Sequence, residues 1–296
     1  MSQVITTTDP AQAKIVQQAI QEISHIATLP EVTLKIIRLV EDPDSTAQDL
    51  NKVITNDPAL GARILKVVNS AFYGLPGQIG SINRAIVLLG LNAVKNIAIA
   101  ASLAKLFRGG QICPSFNARD LWHHCIAVAT GTRLLADKAG LGLPDEAFLA
   151  GLIHDIGIMV EMQARRAKFV ETVEKMEGEG LTLREAEAQV IGATHEAFGA
   201  ELCKMWKFPA SFAYVTGFHH RPWELADQNR TLTSLVHIAD IVAARTAIGY
   251  RKDVETDQIN SDLLSQLGLT EQKVDEVTEA LPEAIEEASS LLSDAG

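Results

Sequence analysis

A histidine and an aspartate stand side by side at His154-Asp155, inside the apolar stretch Gly151-Leu-Ile-His154-Asp155-Ile-Gly157. Neighbouring side chains on a helix project roughly 100° apart, so both reach one point only if that point lies beside the helix in the core. A metal ion at that point would offset the free energy needed to bury the carboxylate. A helix N-cap or a hydrogen-bonded His–Asp pair explains the same two residues without a metal. Taken alone, the pair favours that second explanation.

The positions of the other histidines favour the metal site over a local cap or hydrogen-bonded pair. Six of the eight histidines fall where predicted helices of the C-terminal half converge: His123, His124, His154, His195, His219 and His220. Asp240 adds a carboxylate inside the apolar run of a later predicted helix, where a carboxylate needs a partner. Imidazole with carboxylate suits Fe, Mn, Zn, Co or Ni and disfavours an all-oxygen Mg or Ca cage. The pattern therefore indicates that the chain binds at least one transition metal.

The composition is that of an ordinary soluble protein. Hydrophobic residues make up 47% of the 296 residues and charged residues 21%, which is typical of a globular chain. The formal charge of −11 argues against an extensive nucleic-acid-binding surface, although a local basic patch stays open.

The cysteines and the apolar segments predict a cytoplasmic protein without membrane contact. Cys113, Cys125 and Cys203 form no CxxC pair, which suits a reducing compartment. The N-terminus has no basic and apolar targeting pattern. The most apolar window, residues 85–104, carries a lysine, a glycine and two asparagines near its centre, so it predicts two buried helices that meet near residues 90–92.

Apolar residues recur at helical spacing along most of the chain, and no useful period-2 run interrupts them, so the predicted fold class is all-α. Cap and breaker residues divide the helices at Leu29-Pro30, Ser45 or Thr46, Asp57 with Pro58, Ser115 or Asn117, Thr182 with Glu185, and Thr194. We expect an N-terminal helical subdomain at 1–108 and a histidine-rich helical subdomain at 109–250. Two closing helices are expected at 251–296.

Motifs in the N-terminal half resemble those of the HDOD domain, a bacterial signal-transduction output domain related to HD hydrolases. The resemblance extends from about residue 23 to about residue 220. Its motifs are Leu29-Pro30, Asp57-Pro58-Ala59-Leu60, Arg63-Ile64-Leu65, Val68-Asn69-Ser70-Ala71, Gly74-Leu-Pro-Gly77, Ile79-Gly-Ser81-Ile82, Ala85-Ile86 and Leu89-Gly90. A helical HDOD/HD-like bundle is the fold that this resemblance implies. Nothing in these motifs has catalytic spacing, so we interpret them as helix caps and a loop.

The histidine-rich half resembles the dinuclear HD phosphohydrolases, including the HD-GYP phosphodiesterases. The resemblance implies one metal held by His124, His154, Asp155 and Asp240. It implies a second metal that shares bridging Asp155, the catalytic residue if the chain is an enzyme, and takes His195, His219 and His220. In those enzymes the two metals hold a hydroxide that attacks phosphorus.

Three departures from the enzyme pattern favour binding over turnover. Active hydrolases follow His-Asp-Ile-Gly with a lysine near the scissile phosphate, and here the position is Ile158. The paired histidines are followed by Arg221-Pro-Trp-Glu and not by a Gly-Tyr-Pro motif, and His195 is followed by Glu196 where that subgroup has proline. The charge of Arg221 is a candidate replacement for the missing lysine.

We therefore expect a regulatory signal-transduction module that binds metal and has a signalling protein or a nucleotide as its partner. A metal-dependent phosphohydrolase or phosphodiesterase is the alternative. A third possibility is a structural descendant whose histidines only form hydrogen bonds.

Overall fold

A computed structural model describes residues 10–22, 31–42, 44–70, 73–103, 106 and 110–292. Its first helices are α1 (Pro10–Glu22), α2 (Glu31–Glu41), α3 (Ala47–Thr55), α4 (Pro58–Val68), α5 (Ile82–Leu89) and α6 (Leu91–Leu103). The predicted boundary at Leu29-Pro30 and the residue Ala71 lie outside the described residues.

Side-chain caps set the helix boundaries in this first part. Thr46 caps α3 in a reciprocal capping box with Asp49, and Asp57 accepts from the Leu60 amide at the start of α4, with Pro58 in the first turn. Each cap satisfies amides that lack a partner within the helix. The predicted caps at Thr46 and Asp57 are therefore confirmed.

Asn69 ties the end of α4 to the segment that precedes α5. Its Nδ2 donates to the carbonyl oxygens of Leu65 and Ile79, both at 2.8 Å, and its Oδ1 accepts from the Ile79 amide at 2.6 Å. The interpretation of this motif as a structural cap agrees with these bonds.

The second part begins with a two-stranded antiparallel hairpin, β1 (Gln111–Cys113) and β2 (Phe116–Asn117). Apart from this hairpin the described residues are helical or irregular, as the all-α prediction required. The later helices are α7 (Ala118–Ala139), α8 (Pro144–Ile153), α9 (Ile156–Ala164), α10 (Arg166–Glu179), α11 (Leu183–Val190), α12 (His195–Met205), α13 (Ala210–Phe218), α14 (Thr231–Arg245), α15 (Ser261–Gln266) and α16 (Glu271–Leu292).

The predicted caps of these later helices are confirmed with one exception in detail. Asn117 caps α7, and Thr182 and Glu185 form the expected capping box at α11. Thr194 occupies the N-cap of α12, but its side chain makes no capping hydrogen bond. The sequence therefore predicted where α12 begins, but not that the Thr194 side chain makes no capping bond there.

Helix α7 lies at the centre of the bundle, where it packs against α8, α14 and α16. Helix α12 packs against α13 and α9, and α1 crosses over to lie on α12 and α9. These contacts gather helices of the second part around one buried region, which is where the predicted ligands lie.

The predicted pair of helices at residues 85–104 is confirmed, because α5 ends at Leu89 and α6 begins at Leu91 on either side of Gly90. One other segment, Pro144–Ala164, is long and apolar enough by composition to cross a membrane. In the fold, 83% of its 18-residue window is buried inside the protein. A mostly buried core helix of a soluble protein passes the same test.

Candidate metal centre

His154 and Asp155 lie at a break between two helices, and not on one continuous helix as the sequence predicted. Helix α8 ends at Ile153 and α9 begins at Ile156, with Asp155 at φ −98° and ψ 18°. Because the chain changes direction at this break, the side chains of both residues point toward the same buried region.

Gly151 lets α8 approach α7 closely. A Cβ at this position would lie 2.7 Å from the Ala129 Cα and 2.7 Å from the Thr132 Oγ1, which is closer than carbon atoms pack. The absence of a side chain therefore brings His154 on one helix up to His124 on the other. Their Nε2 atoms are 3.3 Å apart.

Gly157, on the other side of the His-Asp pair, lets α9 approach α12 closely. A Cβ there would lie 1.9 Å from the His195 carbonyl oxygen and 2.8 Å from the Gly199 amide nitrogen. Only a glycine fits, and α9 therefore packs directly on the first turn of α12, where His195 lies. The two glycines that bracket the motif thus place the histidines on both sides of Asp155.

The carboxylate of Asp155 lies between two groups of imidazoles. Its Oδ2 is 3.2 Å from the His154 Nε2 and 3.8 Å from the His124 Nε2. Its Oδ1 is 3.3 Å from the His219 Nε2 and 3.7 Å from the His195 Nε2. Each oxygen therefore faces a different set of ligands, as a bridging carboxylate between two metals requires.

The first group contains a candidate ligand that the sequence analysis missed. Its four members, with ligand atoms within 4.8 Å of one another, are His124, His154, Asp155 and Asp253. The predicted ligand Asp240 lies at the side of this group, with its Oδ1 3.2 Å from the His124 Nε2. Asp253 follows two basic residues in an irregular segment, and no periodicity or motif marks it.

The second group is the predicted one. Ligand atoms of Asp155, His195, His219 and His220 lie within 4.8 Å of one another, and all four residues are buried. The Nε2 atoms of His195 and His220 are 3.1 Å apart. All seven predicted metal-ligating residues are thus brought to one buried region.

Three of the imidazoles are oriented by carbonyl or carboxylate acceptors. The Nδ1 of His195 donates to Glu187 at 2.9 Å, that of His154 to the Gly151 carbonyl at 2.7 Å, and that of His219 to the Val215 carbonyl at 3.2 Å. Each bond holds the proton on Nδ1, so the Nε2 lone pair points inward. The sequence analysis did not predict that Glu187, buried on α11, orients His195, because the sequence of α11 is that of an ordinary polar helix.

Carboxylates and imidazoles of the cluster shift each other's pKa values. Burial opposes the charged form of Asp155, but His154 and His219 outweigh it and lower the pKa of Asp155 well below its usual value. Burial also opposes protonation of His195, but Glu187 outweighs it and raises its pKa to about 10. Burial and the neighbouring His219 and His195 instead lower the pKa of His220 well below its usual value.

Several buried polar atoms of the cluster residues have no hydrogen-bond partner. They are the His124 Nδ1, both carboxylate oxygens of Asp155 and of Asp253, the His219 Nε2 and the Asp240 Oδ1. Buried polar atoms without partners are rare and require a cause. Two ligands bound at about 2.1 Å to one transition metal lie roughly 3.0–3.4 Å apart. The contacts of 3.1–3.3 Å in both groups fit that spacing, so the residues fit a transition-metal centre.

Ile158 and Arg221 are two of the positions at which the sequence departs from the enzyme pattern. Ile158 is fully buried in α9 and presents no group to an anion. Arg221 lies next to the ligand His220, but its guanidinium is paired with Glu196 at 3.3 Å and with Glu224 at 3.2 Å. Arg221 is therefore near the centre and already neutralised.

A cleft of about 420 Å³ opens beside the centre and reaches the ligands His220 and Asp240. Its wall includes Arg184, Arg221 and the exposed indole of Trp223. Arg184 donates through Nε to Glu196 at 2.8 Å, so the buried Glu196 carboxylate joins both arginines.

Comparison with known proteins gives a relative in sequence. An uncharacterized protein of Treponema pallidum (strain Nichols) is 24% identical over 229 residues, which cover 77% of this chain and 44% of that protein. The chain therefore spans less than half the length of this relative.

Two crystal structures share the fold. An HDOD domain protein of unknown function from Geobacter sulfurreducens has a TM-score of 0.80 and 23% identity, over 95% of this chain and 98% of that one. A candidate phosphohydrolase from Shewanella amazonensis SB2B has a TM-score of 0.70 and 24% identity, over 93% of this chain and 97% of that one.

The family assignment rests on the sequence match. The family model of the HDOD domain matches residues 26–222, well over half of the chain. That range includes Asn69, whose side chain joins the end of α4 to Ile79. It also includes the break between α8 and α9 at His154 and Asp155, and the paired histidines at 219 and 220. The chain belongs to the HDOD domain family.

Proposed function

We propose that this chain is a cytoplasmic regulatory module of bacterial signal transduction that binds one or two transition metals without efficient hydrolysis. The observation that carries the proposal is the position of Asp155, whose two buried oxygens face two separate sets of imidazoles. A purely structural His–Asp cluster would satisfy these oxygens with hydrogen bonds, and neither oxygen has one.

In this proposal His124, His154, Asp155 and Asp240 hold the first metal. Asp155, His195, His219 and His220 hold the second. The donor set of imidazoles and carboxylates suits Fe, Mn, Zn, Co or Ni. When bound, such ions act as Lewis acids toward a phosphoryl or carbonyl oxygen.

The residues around the centre favour metal binding without hydrolysis. The lysine position of the active hydrolases is Ile158, which is buried. The two arginines nearest the centre are each held by two carboxylates, Glu196 with Glu255 for Arg184 and Glu196 with Glu224 for Arg221. A phosphate arriving there would have to displace these carboxylates, which weakens its binding.

Elemental analysis of protein purified without chelator tests the proposal. We expect at least one equivalent of a transition metal per chain and loss of most of it in Asp155→Ala. Asp227→Ala, which removes an exposed carboxylate paired only with Arg230, is the matched control and keeps the wild-type metal content. A metal-free wild type would overturn the proposal.

A metal-dependent phosphohydrolase or phosphodiesterase is the second candidate. The cleft that reaches His220 and Asp240 favours it, since a phosphoester bound there would approach the centre. One structural relative is a candidate phosphohydrolase. Metal-dependent turnover of cyclic dinucleotides, nucleotides or generic phosphodiesters, abolished by Asp155→Ala, would establish this second function in place of the first.

A further inference from the structure

The segment 249–257, here called the Asp253 loop, is held against the first turns of α7. Gly249 has φ +76°, and a Cβ there would lie 2.4 Å from the His124 amide nitrogen, so only glycine permits this approach. The Tyr250 amide donates to the Asp120 carbonyl at 2.9 Å. These contacts place the loop beside the ligand His124.

The loop then turns one carboxylate into the centre. Asp253 is 1% exposed, and its Oδ2 lies 3.4 Å from the His124 Nε2. Neither of its oxygens has a hydrogen-bond partner. The preceding basic residues do not neutralise it, because Arg251 is exposed and Lys252 pairs with Glu177 on α10.

A fully buried carboxylate without a donor is strongly unfavourable unless a cation neutralises it. Asp155 and Asp240 lie beside the same imidazole, so three carboxylates meet at the His124 Nε2. Such a set needs more positive charge than the histidines supply, and a divalent ion supplies it.

We propose that Asp253 is a further ligand of the first metal. This inference rests on the proposed metal centre. The first metal is then held by five protein side chains, His124, His154, Asp155, Asp240 and Asp253. Catalytic metals keep a position open for water or substrate, and structural sites are closed by protein ligands. With Asp253 as a ligand, the first metal would keep fewer positions for water or substrate than with four protein ligands.

The same loop forms one wall of the cleft. Val254, Glu255 and Thr256, the three residues after Asp253, line it, and Glu255 binds Arg184 across it at 3.2 Å. When the metal binds Asp253, it also fixes this wall. Metal occupancy and the shape of the cleft are therefore coupled through one side chain.

Zinc titration of chelator-stripped full-length protein tests the assignment. Asp253→Asn keeps the shape of the side chain and removes its charge. Even removal of a residue that only orients a ligand lowers metal affinity about 10–100-fold, so loss of a direct ligand should weaken one zinc site at least tenfold. Asp257→Asn removes an exposed charge from the same loop and should bind zinc as the wild type does.

Trypsin provides a readout that does not depend on activity, because Arg251 and Lys252 are exposed cleavage sites beside Asp253. We expect zinc to slow cleavage at these two bonds in the wild type and in Asp257→Asn, and to leave the rate unchanged in Asp253→Asn. Circular dichroism confirms that each variant is folded.

The outcomes separate the two proposals. A wild type that binds no zinc overturns the metal centre itself. A wild type that binds zinc, together with an Asp253→Asn protein of equal affinity and equal zinc-dependent protection, overturns only the role of Asp253.

Discussion

Gly157 lies in direct contact with the main chain of His195. The distance from an added Cβ to the His195 carbonyl oxygen would be 1.9 Å, and the atom on the other side is a backbone atom that cannot rotate away. The glycine that follows the His-Asp pair is therefore a packing requirement that joins α9 to α12.

Gly157→Ala should separate these helices and lower the free energy of unfolding by more than about 3 kcal/mol, the upper range for overpacking. The measurement is urea unfolding of the metal-free protein. Gly178→Ala, in the last turn of α10 with nothing within 4 Å of an added Cβ, is the control. It should be neutral or stabilise by up to about 1 kcal/mol. Equal stability of the two variants would contradict the contact.

Glu187→Gln should weaken the second metal site. Glu187 accepts from both the Nδ1 and the main-chain amide of His195, and its charge makes the imidazole a stronger ligand. We expect about 10–100-fold lower metal affinity by zinc titration, which is the usual effect of losing such a partner. Glu174→Gln, on the exposed face of α10, should leave the affinity unchanged. Unaltered binding in Glu187→Gln would show that this glutamate only packs.

Metal addition should stabilise the fold, because the ligands come from five helices and a loop that are apart in the unfolded chain. A metal present at 100 times its dissociation constant should add about 2.7 kcal/mol to the free energy of unfolding. Thermal melts of stripped protein with and without zinc measure this, and excess chelator should reverse it. Coincident melting curves would argue against any metal site in the native state.

Asn69→Ala should destabilise the N-terminal helices without touching the centre. It removes two hydrogen bonds that join the end of α4 to Ile79 and one to the Leu65 carbonyl within α4, and because Asn69 is exposed we expect a loss of about 1–2 kcal/mol. Asn92→Ala, at the exposed start of α6, serves as the control. The metal content of Asn69→Ala should equal that of the wild type, and a drop in it would show that the two halves are coupled.

Most of the helices could be predicted because their signals are local. The Asp57-Pro58 start, the Thr182 capping box and the stop at Gly90 each depend on residues within one turn. The break between α8 and α9 could not be predicted, because Ile153 and Ile156 are apolar on both sides of it and no breaker residue marks it.

The His-Asp pair and the spaced histidines were enough, by the sequence alone, to name seven candidate ligands, because ligand residue types in apolar helical runs are unusual and can be recognised one by one. Only the tertiary structure could add Asp253 and Glu187. Both are ordinary acidic residues in polar surroundings along the chain, and they become buried next to His124 and His195 only when the loop and α11 fold over the centre. The tertiary structure also decided that Arg221 meets Glu196 and Glu224. Charge pairing is a property of distances in space, which the order of residues does not encode locally.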